Sequence, residues 1–431
     1  MNFVKFVFSI NLAFSFVAGV AFTHAQKLPE IKADWKNWKK ELGELLSARS
    51  ASDEGSEIWK TSAENWSYAT GAADVLRGRA LFLKAEPPLP GETREAILSQ
   101  CEKLAGKLMS LEASKPELQQ SRSLSNKNQR GWGIERPYNL RGVIGVNTVD
   151  LWSTSCGLVA LSEYLPFAKQ RSPSHFKEVL ELSSEVMDHW ILHYSAESPL
   201  GGRYFFKIGT DDPRIKNFLI YNTESLMAIA LLNLSKAHRV EGNAAKADRY
   251  LKEALDHARQ LKVGVCDRIR AGGGVTASNW MYMTEGVVGT PVNSRPEDVS
   301  HGGLDPDVVF RFIKEEVREN GKPLFEPDDL RIFGKILAEN VFVYDAKGLP
   351  AYSVWYKDTK ANKNVYTDFL TADPGDKSYT RSTSWHYGVT DDKKRVEIGH
   401  GLRTGWGWIY GASTDANILA HTYRYYAAYL G

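Results

Sequence analysis

Cysteine is scarce in this chain: Cys101, Cys156 and Cys266 are the only three in 431 residues, and they stand far apart. At most one disulfide can form, and no pair has the spacing of metal ligands. Net charge is also small, because 54 Lys and Arg residues are balanced by 52 Asp and Glu residues. This balance argues against a general nucleic-acid-binding protein, although it leaves room for a locally basic groove.

Several catalytic signatures are missing as well. The sequence has no G-x-S-x-G nucleophile elbow, no P-loop and no H-E-x-x-H zinc motif. The glycine run Gly272–Gly274 lacks the strand-helix frame of a dinucleotide-binding site. His189 and His193 are four residues apart, but a metal site there would need a third ligand from elsewhere. We therefore predict no metal.

Long apolar runs are absent except for one, Phe6–Phe22, which follows Lys5 and precedes small residues up to Ala25. This pattern predicts a secretory signal peptide over residues 1–25 and a periplasmic or secreted mature protein without a membrane span. An uncleaved membrane anchor is the alternative, but the run is shorter than the about 20 residues that a span prefers.

What the chain does contain is helical periodicity, which predicts about ten helices. The predicted helices are Asp34–Ala48, Asp53–Ala85, Thr93–Ala113, Asn147–Leu165, Ser174–Tyr194, Thr223–Val240, Ala244–Leu261, Asp305–Val317, Asp328–Val341 and Thr414–Leu430. Strand-like alternation is rare and short. The candidate strands are Arg203–Lys207, Val341–Tyr344, Tyr352–Lys357 and Val365–Leu370.

The loops between these helices alternate in length. Some are as short as Glu241–Asn243, whereas others are long and rich in Gly, Pro, Arg and aromatic residues. The long loops are Ser114–Val146, Ser195–Asn222, Lys262–His301 and Asp345–Ser413. Long loops are uncommon in compact domains unless they are functional. We predict an all-α fold, an α/α toroid forming one domain over residues 26–431, with residues 345–413 as a β-containing insertion over the barrel mouth. A helical solenoid is the alternative, but no fixed repeat period is visible.

The segment "RPEDVSHGGLDPDVVFRF", Arg295–Phe312, is the first candidate for chemistry. Asp305 and Pro306 fit the N-cap and first position of a helix, which places His301 just before a helix N-terminus. A neutral imidazole is favoured there and suits a proton-accepting base. The two glycines after His301 would let a polymer approach the backbone. The alternative is a helix-entry turn whose His and acids only cap the backbone.

Two further candidates come earlier in the chain. In Ile220–Glu224, Asn222 either caps the following helix or, with Tyr221, holds a substrate carboxylate at the mouth of the toroid. In Ala277–Tyr282, Trp280 would stack on a sugar ring and Tyr282 would transfer a proton. The alternative for the second segment is an aromatic plug that fills the barrel.

The twelve Trp and nineteen Tyr residues are numerous for an exported protein of balanced charge, where exposed aromatic faces often bind carbohydrate; most are nevertheless expected in the core. Arg141 lies in a loop without periodicity, and Arg403 and Trp406 lie among Gly-spaced aromatics before the last predicted helix. Arginine pairs bidentately with carboxylates, so these side chains are candidate contacts for an acidic sugar. They are otherwise surface or ring-closing residues.

The helical organisation, the Asn, Tyr, His and Arg residues of the long loops and the R-P-E-D-x-S-H-G-G segment resemble exported polysaccharide lyases of the α/α-toroid kind, the alginate and glucuronan lyases in particular. The resemblance implies β-elimination on a uronic-acid polymer, without a metal or organic cofactor. It implies that Asn222 and Arg295 contact the substrate carboxylate, that His301 is the base or a neutralising group, and that Tyr282 is the proton donor. Tyr221 is the reserve donor, and Glu297 would orient His301.

Two other functions remain open. A glycoside hydrolase on the same fold would need two carboxylates. The candidates for that pair are Glu224, Glu297, Asp298, Asp305 and Asp307. A non-catalytic glycan-binding helical protein is the other possibility. In each case the expected partner is a polysaccharide, acidic for the lyase, and we expect a monomer.

Overall fold

The computed structural model describes residues 68–84, 89–115, 129–134, 148–205, 219–271, 283–284, 304–336, 342–344, 350–353 and 366–367. These residues are mainly helical and contain only short strands. This agrees with an all-α class at the level of helix content. The predicted signal peptide, the first predicted helix and the last predicted helix lie outside the described residues.

The helices are α1 Tyr68–Lys84, α2 Gly91–Ser110, α3 Leu151–Arg171, α4 Pro173–His193, α5 Tyr221–Val240, α6 Ala244–Leu261, α7 Arg268–Ala271, α8 Asp305–Lys314 and α9 Pro327–Ile336. A π-helical segment, Lys262–Asp267, joins α6 to α7. The strands form small antiparallel ladders. They are β1 Gly133–Ile134 with β2 Thr148–Val149, β3 Ser195–Glu197 with β4 Arg203–Phe205, β5 Leu219–Ile220 with β6 Met283–Thr284, β7 Arg318–Glu319 with β8 Lys322–Pro323, and β9 Phe342–Tyr344, β10 Pro350–Ser353 and β11 Tyr366–Thr367 with β10 in the middle.

Three of the helices begin at a polar N-cap whose side chain accepts a hydrogen bond from a backbone N–H of the first turn. Asp150 accepts from Ser153 at the start of α3, and Ser172 accepts from His175 at the start of α4. Asn243 accepts from Lys246 at the start of α6. Such caps contribute about 1 kcal/mol each by satisfying donors that have no partner within the helix.

The helices lie in two rows. In the central row α1 packs against α3, α3 against α5, and α5 against α8. The outer row contains α2, α4 and α6, which pack against α1, α3 and α5, respectively. Helices α3 and α5 are buried on most sides, whereas α4 and α6 bury one face. This burial explains why α3 and α5 carry apolar residues almost all round, since a helix inside a core has no solvent face.

Contacts at both ends of α5 show that the central helices run in the same direction. At its start, Ser225 Oγ donates to Asp305 Oδ1, the first residue of α8, at 2.7 Å. Past its end, Glu241 pairs with Lys169, which lies in the last turn of α3. The starts of α3, α5 and α8 therefore lie at the same end of the described helices.

The connections that follow α3 and α5 are short, and those that precede the central helices after α1 are long. Only Ser172 separates α3 from α4, and residues 241–243 separate α5 from α6, with Gly242 at φ 77° in the turn. The connections that precede α3, α5 and α8 are all long. The predicted alternation is confirmed here, with one correction. The loop expected to begin at Lys262 begins later, because the π-helical segment and α7 continue the chain to Ala271.

The short strands predicted near the C-terminus are present in part. Strand β10 pairs with β9 on one side and with β11 on the other. The rest of the predicted insertion, 345–413, lies outside the described residues. Within the described part of the chain, no helix is long and apolar enough to cross a membrane.

Large aromatic side chains fill much of the core. The largest fully buried ones are Trp132, Trp190, Tyr164, Tyr221 and Tyr250. These five support the core interpretation of the aromatic excess rather than a sugar-binding one. The indole of Trp132 occupies space that Gly157 of α3 leaves open. Its Nε1–H donates to the Leu108 carbonyl at 2.8 Å, so the polar edge is satisfied as well.

The π-helical segment brings a glycine against α5. A Cβ atom at Gly264 would stand 2.8 Å from Cζ and 3.0 Å from Cε1 of Tyr221, closer than real Cβ contacts allow. Both residues are buried, so neither has space to yield. The glycine therefore lets the ring of Tyr221 lie directly against the backbone of the neighbouring helix.

We predict that Gly264→Ala lowers the free energy of unfolding by about 1–3 kcal/mol, because the added methyl group overpacks the contact with Tyr221. Urea unfolding followed by circular dichroism measures the change. Gly106→Ala is the matched control: Gly106 lies on the exposed side of α2 with nothing within 4 Å of its Cβ position. That change should be neutral or stabilise by up to about 1 kcal/mol. Equal effects of the two changes would contradict the packing argument.

Candidate functional site

The first turn of α5 carries the buried amide of Asn222. The side chain is 0% exposed, and neither Oδ1 nor Nδ2 has a hydrogen-bond partner within the described residues. A buried polar group without a partner costs about 1–3 kcal/mol. Native proteins hold few such groups, and those that persist often have a role in binding or catalysis.

The N-cap alternative for Asn222 is wrong. Helix α5 begins at Tyr221, and its N-cap is Ile220, which makes no side-chain cap. Asn222 is therefore the second helical residue. The hydroxyl of Thr223 donates to the Ile220 carbonyl at 2.8 Å, so this side chain turns back along the helix instead.

Two contacts bring other parts of the chain to this turn. Strand β5 directly precedes α5 and pairs with β6, with Ile220 opposite Met283. On α5 itself, Ser225 lies three residues after Asn222 and bonds Asp305. Residues three apart share a helix face, so Asn222 faces the same side as the start of α8.

The start of α8 differs by one residue from the prediction. Its N-cap is Leu304, which makes no side-chain cap, and Asp305 is the first helical residue. Pro306 therefore occupies the second helical position, where its missing N–H is still tolerated. Asp305 accepts from Ser225 on the neighbouring helix, so the predicted capping role of Asp305 is wrong.

A buried Glu–His pair lies on the other side of the turn. Glu224 Oε2 and His257 Nδ1 of α6 are 2.6 Å apart, and both side chains are almost fully buried. Glu224 Oε1 accepts from the backbone N–H of Phe205 at 2.8 Å. Burial raises the pKa of Glu224, and the bonds to His257 and Phe205 only partly oppose this.

The surroundings of His257 complete this cluster. The Phe205 ring stacks on the imidazole with centroids 4.0 Å apart and planes inclined by 1°. His257 Nε2 lies 3.8 Å from Glu253 Oε2, and neither atom has a hydrogen-bond partner within the described residues. Glu253 in turn lies 4.0 Å from Arg203 of β4. The pair thus joins α5, α6 and β4.

A network of buried charges crosses the central helices. Arg77 of α1 donates to Asp307 at 2.6 Å, and Arg311 bonds both Asp307 at 3.4 Å and Glu163 of α3 at 2.6 Å. Lys84 also pairs with Glu163. Burial alone would raise the pKa of Glu163, but the adjacent Arg311, Lys84 and Arg77 outweigh it and hold the pKa well below its ordinary value of 4.5.

Most residues predicted for the site lie outside the described part of the chain, and only Tyr221 and Asn222 lie within it. Those outside are Arg141, Trp280, Tyr282, Arg295, Glu297, His301, Arg403 and Trp406.

The two histidines of α4 stand close together. The rings of His189 and His193 are 4.7 Å apart, and burial, with His193 and Arg130 nearby, lowers the pKa of His189 to about 4. Among the described residues there is no group of three or more His, Cys, Asp and Glu side chains that could hold a metal ion.

Neither the role of His257 nor the ion pairs that Arg77 and Arg311 form with buried carboxylates were predicted from the sequence. The signal for His257 is its position: it follows Tyr250 by seven residues and Ala254 by three, on the buried stripe of α6. A titratable residue on such a stripe needs a partner. In the same way Arg311 follows Asp307 by four residues on the buried face of α8. The partners Glu224 and Glu163 come from other helices and leave no local signal.

The chain matches no protein-family model, and searches of curated proteins and of solved structures found no similar protein. Its function therefore has to be argued from its own residues.

We predict that Glu163→Gln destabilises the fold at neutral pH by about 3 kcal/mol, because it leaves Arg311 with one buried anionic partner fewer. A carboxyl whose pKa is lowered in the folded state stabilises the fold above its unfolded value of 4.5. This stabilisation is lost as the pH falls toward the folded value. The wild-type protein should therefore lose more free energy of unfolding below about pH 4.5 than the variant.

Urea unfolding between about pH 7 and pH 3 tests this. Glu185→Gln is the control, since Glu185 also pairs with an arginine but its side chain is 61% exposed. The control should change stability by less than about 0.5 kcal/mol and keep the wild-type pH dependence. The prediction is contradicted if the free energy of unfolding falls equally steeply at acid pH in the wild type and in Glu163→Gln.

Proposed function

We propose that this chain is an exported polysaccharide lyase on an α/α toroid, which cleaves a uronic-acid-containing polymer such as alginate or glucuronan by β-elimination. The proposal includes a single catalytic domain that acts as a monomer without a cofactor. The observation that carries it is the buried amide of Asn222 at the start of α5, which has no hydrogen-bond partner among the described residues.

The arrangement of the helices supports the toroid. A ring of helical hairpins has an inner row of parallel helices and an outer row that returns the chain. The described helices alternate in this way between a central and an outer row. The long connections that precede the central helices α3, α5 and α8 all enter at the same end of these helices. Loops at one end of a rigid scaffold are a common place for a binding site.

The position of Asn222 suits a substrate carboxylate. The first N–H groups of a helix have no partner within the helix, and the helix dipole favours an anion there. The Asn222 amide would add a neutral donor, through Nδ2, to a carboxylate seated at this end of α5. A donor that also stabilises the charge developing on that carboxylate during proton removal lowers the barrier.

The proposed base and acid lie close in sequence to two residues, Met283 and Asp305, that contact the start of α5. Tyr282 directly precedes Met283, which pairs with the residue before Tyr221. His301 precedes Asp305 by four residues, and an extended chain of that length spans at most about 14 Å. Asp305 itself is bonded to Ser225, on the Asn222 face of α5. Both residues are thus attached to segments that meet the first turn of α5.

In the proposed reaction His301 removes the C5 proton of the uronate, and the electron pair of the broken C–H bond forms the C4–C5 double bond. The C4–O4 bond breaks, and Tyr282 protonates the departing O4. Asn222 and Arg295 hold the carboxylate, and Glu297 orients His301. The proposed contacts to the rest of the polymer are Trp280, Arg141, Arg403 and Trp406. Tyr221 is buried against Gly264, which argues against a polymer contact for this residue.

The internal bonds of the described carboxylates disfavour the hydrolase. Glu224 has both oxygens bonded, to His257 and to the Phe205 amide. Asp307 is paired with Arg77 and Arg311, and Asp305 accepts from Ser225. A general acid and base pair needs carboxyl groups free to face the sugar. The lyase requires no such pair.

We predict that the mature protein raises the ultraviolet absorbance of at least one of alginate, glucuronan, pectate, hyaluronan and heparin, since the product carries a C4–C5 double bond. Asn222→Ala should lower kcat/KM by about 10²–10³-fold, as expected for the loss of one charge-stabilising donor. His301→Ala and Tyr282→Phe should each lower it by about 10²–10⁴-fold.

Asn233→Ala is the matched control, because Asn233 lies on the same helix and donates to Ser162 far from the first turn. It should keep wild-type kcat/KM. New reducing ends without the absorbance change would exclude the lyase in favour of a hydrolase. If all three site variants still raise the absorbance at the wild-type rate, the protein is a lyase but these residues do not carry the reaction.

A further inference from the structure

Helix α5, like its neighbour α8, begins without a side-chain N-cap. Helices α3, α4 and α6 have N-cap side chains that accept a hydrogen bond from the first turn, whereas Ile220 makes no side-chain cap on α5. One side of the first turn of α5 is fixed to its neighbours by bonds from Glu224. Its two carboxylate oxygens bond His257 of α6 and the backbone of Phe205 at the end of β4.

We infer that His257 is a positioning residue for the proposed site, which acts through Glu224 to hold the turn that carries Asn222. This inference rests on the proposed function, because it assigns Asn222 to the substrate carboxylate. His257 lies on a different helix and belongs to no segment proposed to contact the polymer.

The helix geometry explains how the restraint reaches Asn222. Successive residues of an α-helix are rotated by about 100°, so Asn222 and Glu224 point about 200° apart. Bonds to Glu224 hold one side of the turn against α6 and β4. The opposite side, with Asn222 and Ser225, is then directed toward α8. A rotation of the turn that freed Glu224 would move the amide of Asn222 with it.

The imidazole is itself held on three sides. Its Nδ1 meets Glu224, one face is covered by the Phe205 ring, and its Nε2 side faces Glu253 at 3.8 Å. A residue clamped in this way can transmit a fixed orientation, as the partners that orient catalytic groups must.

Stability alone does not account for this pair. Burying two titratable side chains is costly, and well-packed apolar residues of similar volume are often as stabilising as a buried ion pair. What the pair supplies and an apolar contact lacks is a directional bond of fixed length. The Asn222 amide finds no partner among the residues that the structure describes, and a directional restraint beside it is what an oriented donor needs.

The test combines hydrogen exchange with a double-mutant cycle on the full mature chain. His257→Gln removes the ring yet keeps a side-chain donor, and Glu224→Gln is the second variant, which keeps the shape of its partner. His238→Gln is the matched control: His238 is a buried histidine near the other end of α5, 2.8 Å from Ser184 Oγ. Circular dichroism verifies that each variant is folded.

Hydrogen exchange is independent of the proposed activity. The amides of residues 225–228 donate to the carbonyls of residues 221–224, so they report opening of the first turn. We expect at least about tenfold faster exchange there in His257→Gln and Glu224→Gln, with the rest of α5 unchanged. His238→Gln should leave these amides at the wild-type rate. Unchanged exchange at 225–228, or equally faster exchange along all of α5, would overturn the inference.

The cycle tests whether the effect passes through Asn222. We expect His257→Gln to lower kcat about tenfold in the wild type but hardly at all in Asn222→Ala, because the oriented donor is already gone. His238→Gln should be additive with Asn222→Ala. If the losses of His257→Gln and Asn222→Ala are additive, His257 has no positioning role. Full activity of the Glu224→Gln variant would also overturn that role.

The two failures are distinguishable. If the wild-type protein has no activity on any of the five polymers, the proposed function fails. The exchange rates then decide the positioning of the turn by His257 on their own. If the wild type is active and the exchange pattern is absent, the function stands and His257 has only a packing role.

Discussion

Four charged side chains buried between the central helices constrain how those helices sit along one another. Arg77, Glu163, Asp307 and Arg311 come from α1, α3 and α8, and each is at least nine-tenths buried. A buried charge that loses its partner is costly, so a slide of one helix by a single turn is strongly disfavoured. Apolar packing tolerates such shifts far better, because its energy depends on area and not on the direction of a bond. The axial positions of α1, α3 and α8 are therefore set by ion pairs, and the cohesion of the central row by apolar burial.

The direction of the central helices decides where their starts lie. Because α3, α5 and α8 are parallel, the three long connections that precede them all enter at the same end of these helices. Connections at the other end need only to turn back, and a single residue suffices between α3 and α4. The polar residues around Asn222 are thus grouped by helix direction rather than by proximity in sequence.

Sequence periodicity predicted the helices well and their contacts poorly. The bounds of α6, Ala244–Leu261, agree to the residue, because Asn243 caps the helix and Gly242 supplies the turn. Helix α8 ends three residues earlier than predicted, at Lys314. Glu316 adopts a positive φ of 50° just after this end, and Glu is not one of the residue types that commonly adopt a positive φ.

Some features that the sequence predictions omitted have a clear signal in the sequence, whereas others have none. The hairpin of β7 and β8 turns at Asn320 and Gly321, and Asn-Gly is a strong hairpin signal that hydrophobic periodicity does not reveal. The continuation of α6 through Gly264 was hidden, because a glycine in a loop and a glycine beneath Tyr221 look alike in sequence. The partners of buried charges were hidden for a different reason. His257 meets Glu224 across 33 residues, and Arg77 meets Asp307 across 230, so no local pattern pairs them.

The first turn of α5 combines the Asn222 amide, which has no partner in the described part of the chain, with the Glu224 carboxylate, which has two. A net stability of about 5–15 kcal/mol leaves room for one such amide, provided that the surrounding structure does not collapse onto it. Collapse would require the turn to rotate, and rotation would break the bonds of Glu224 to His257 and Phe205. The cost of leaving Asn222 unsatisfied is therefore offset by bonds on the opposite side of the same helical turn. This is the arrangement expected of a donor that is kept for a ligand, because its orientation is fixed before the ligand binds.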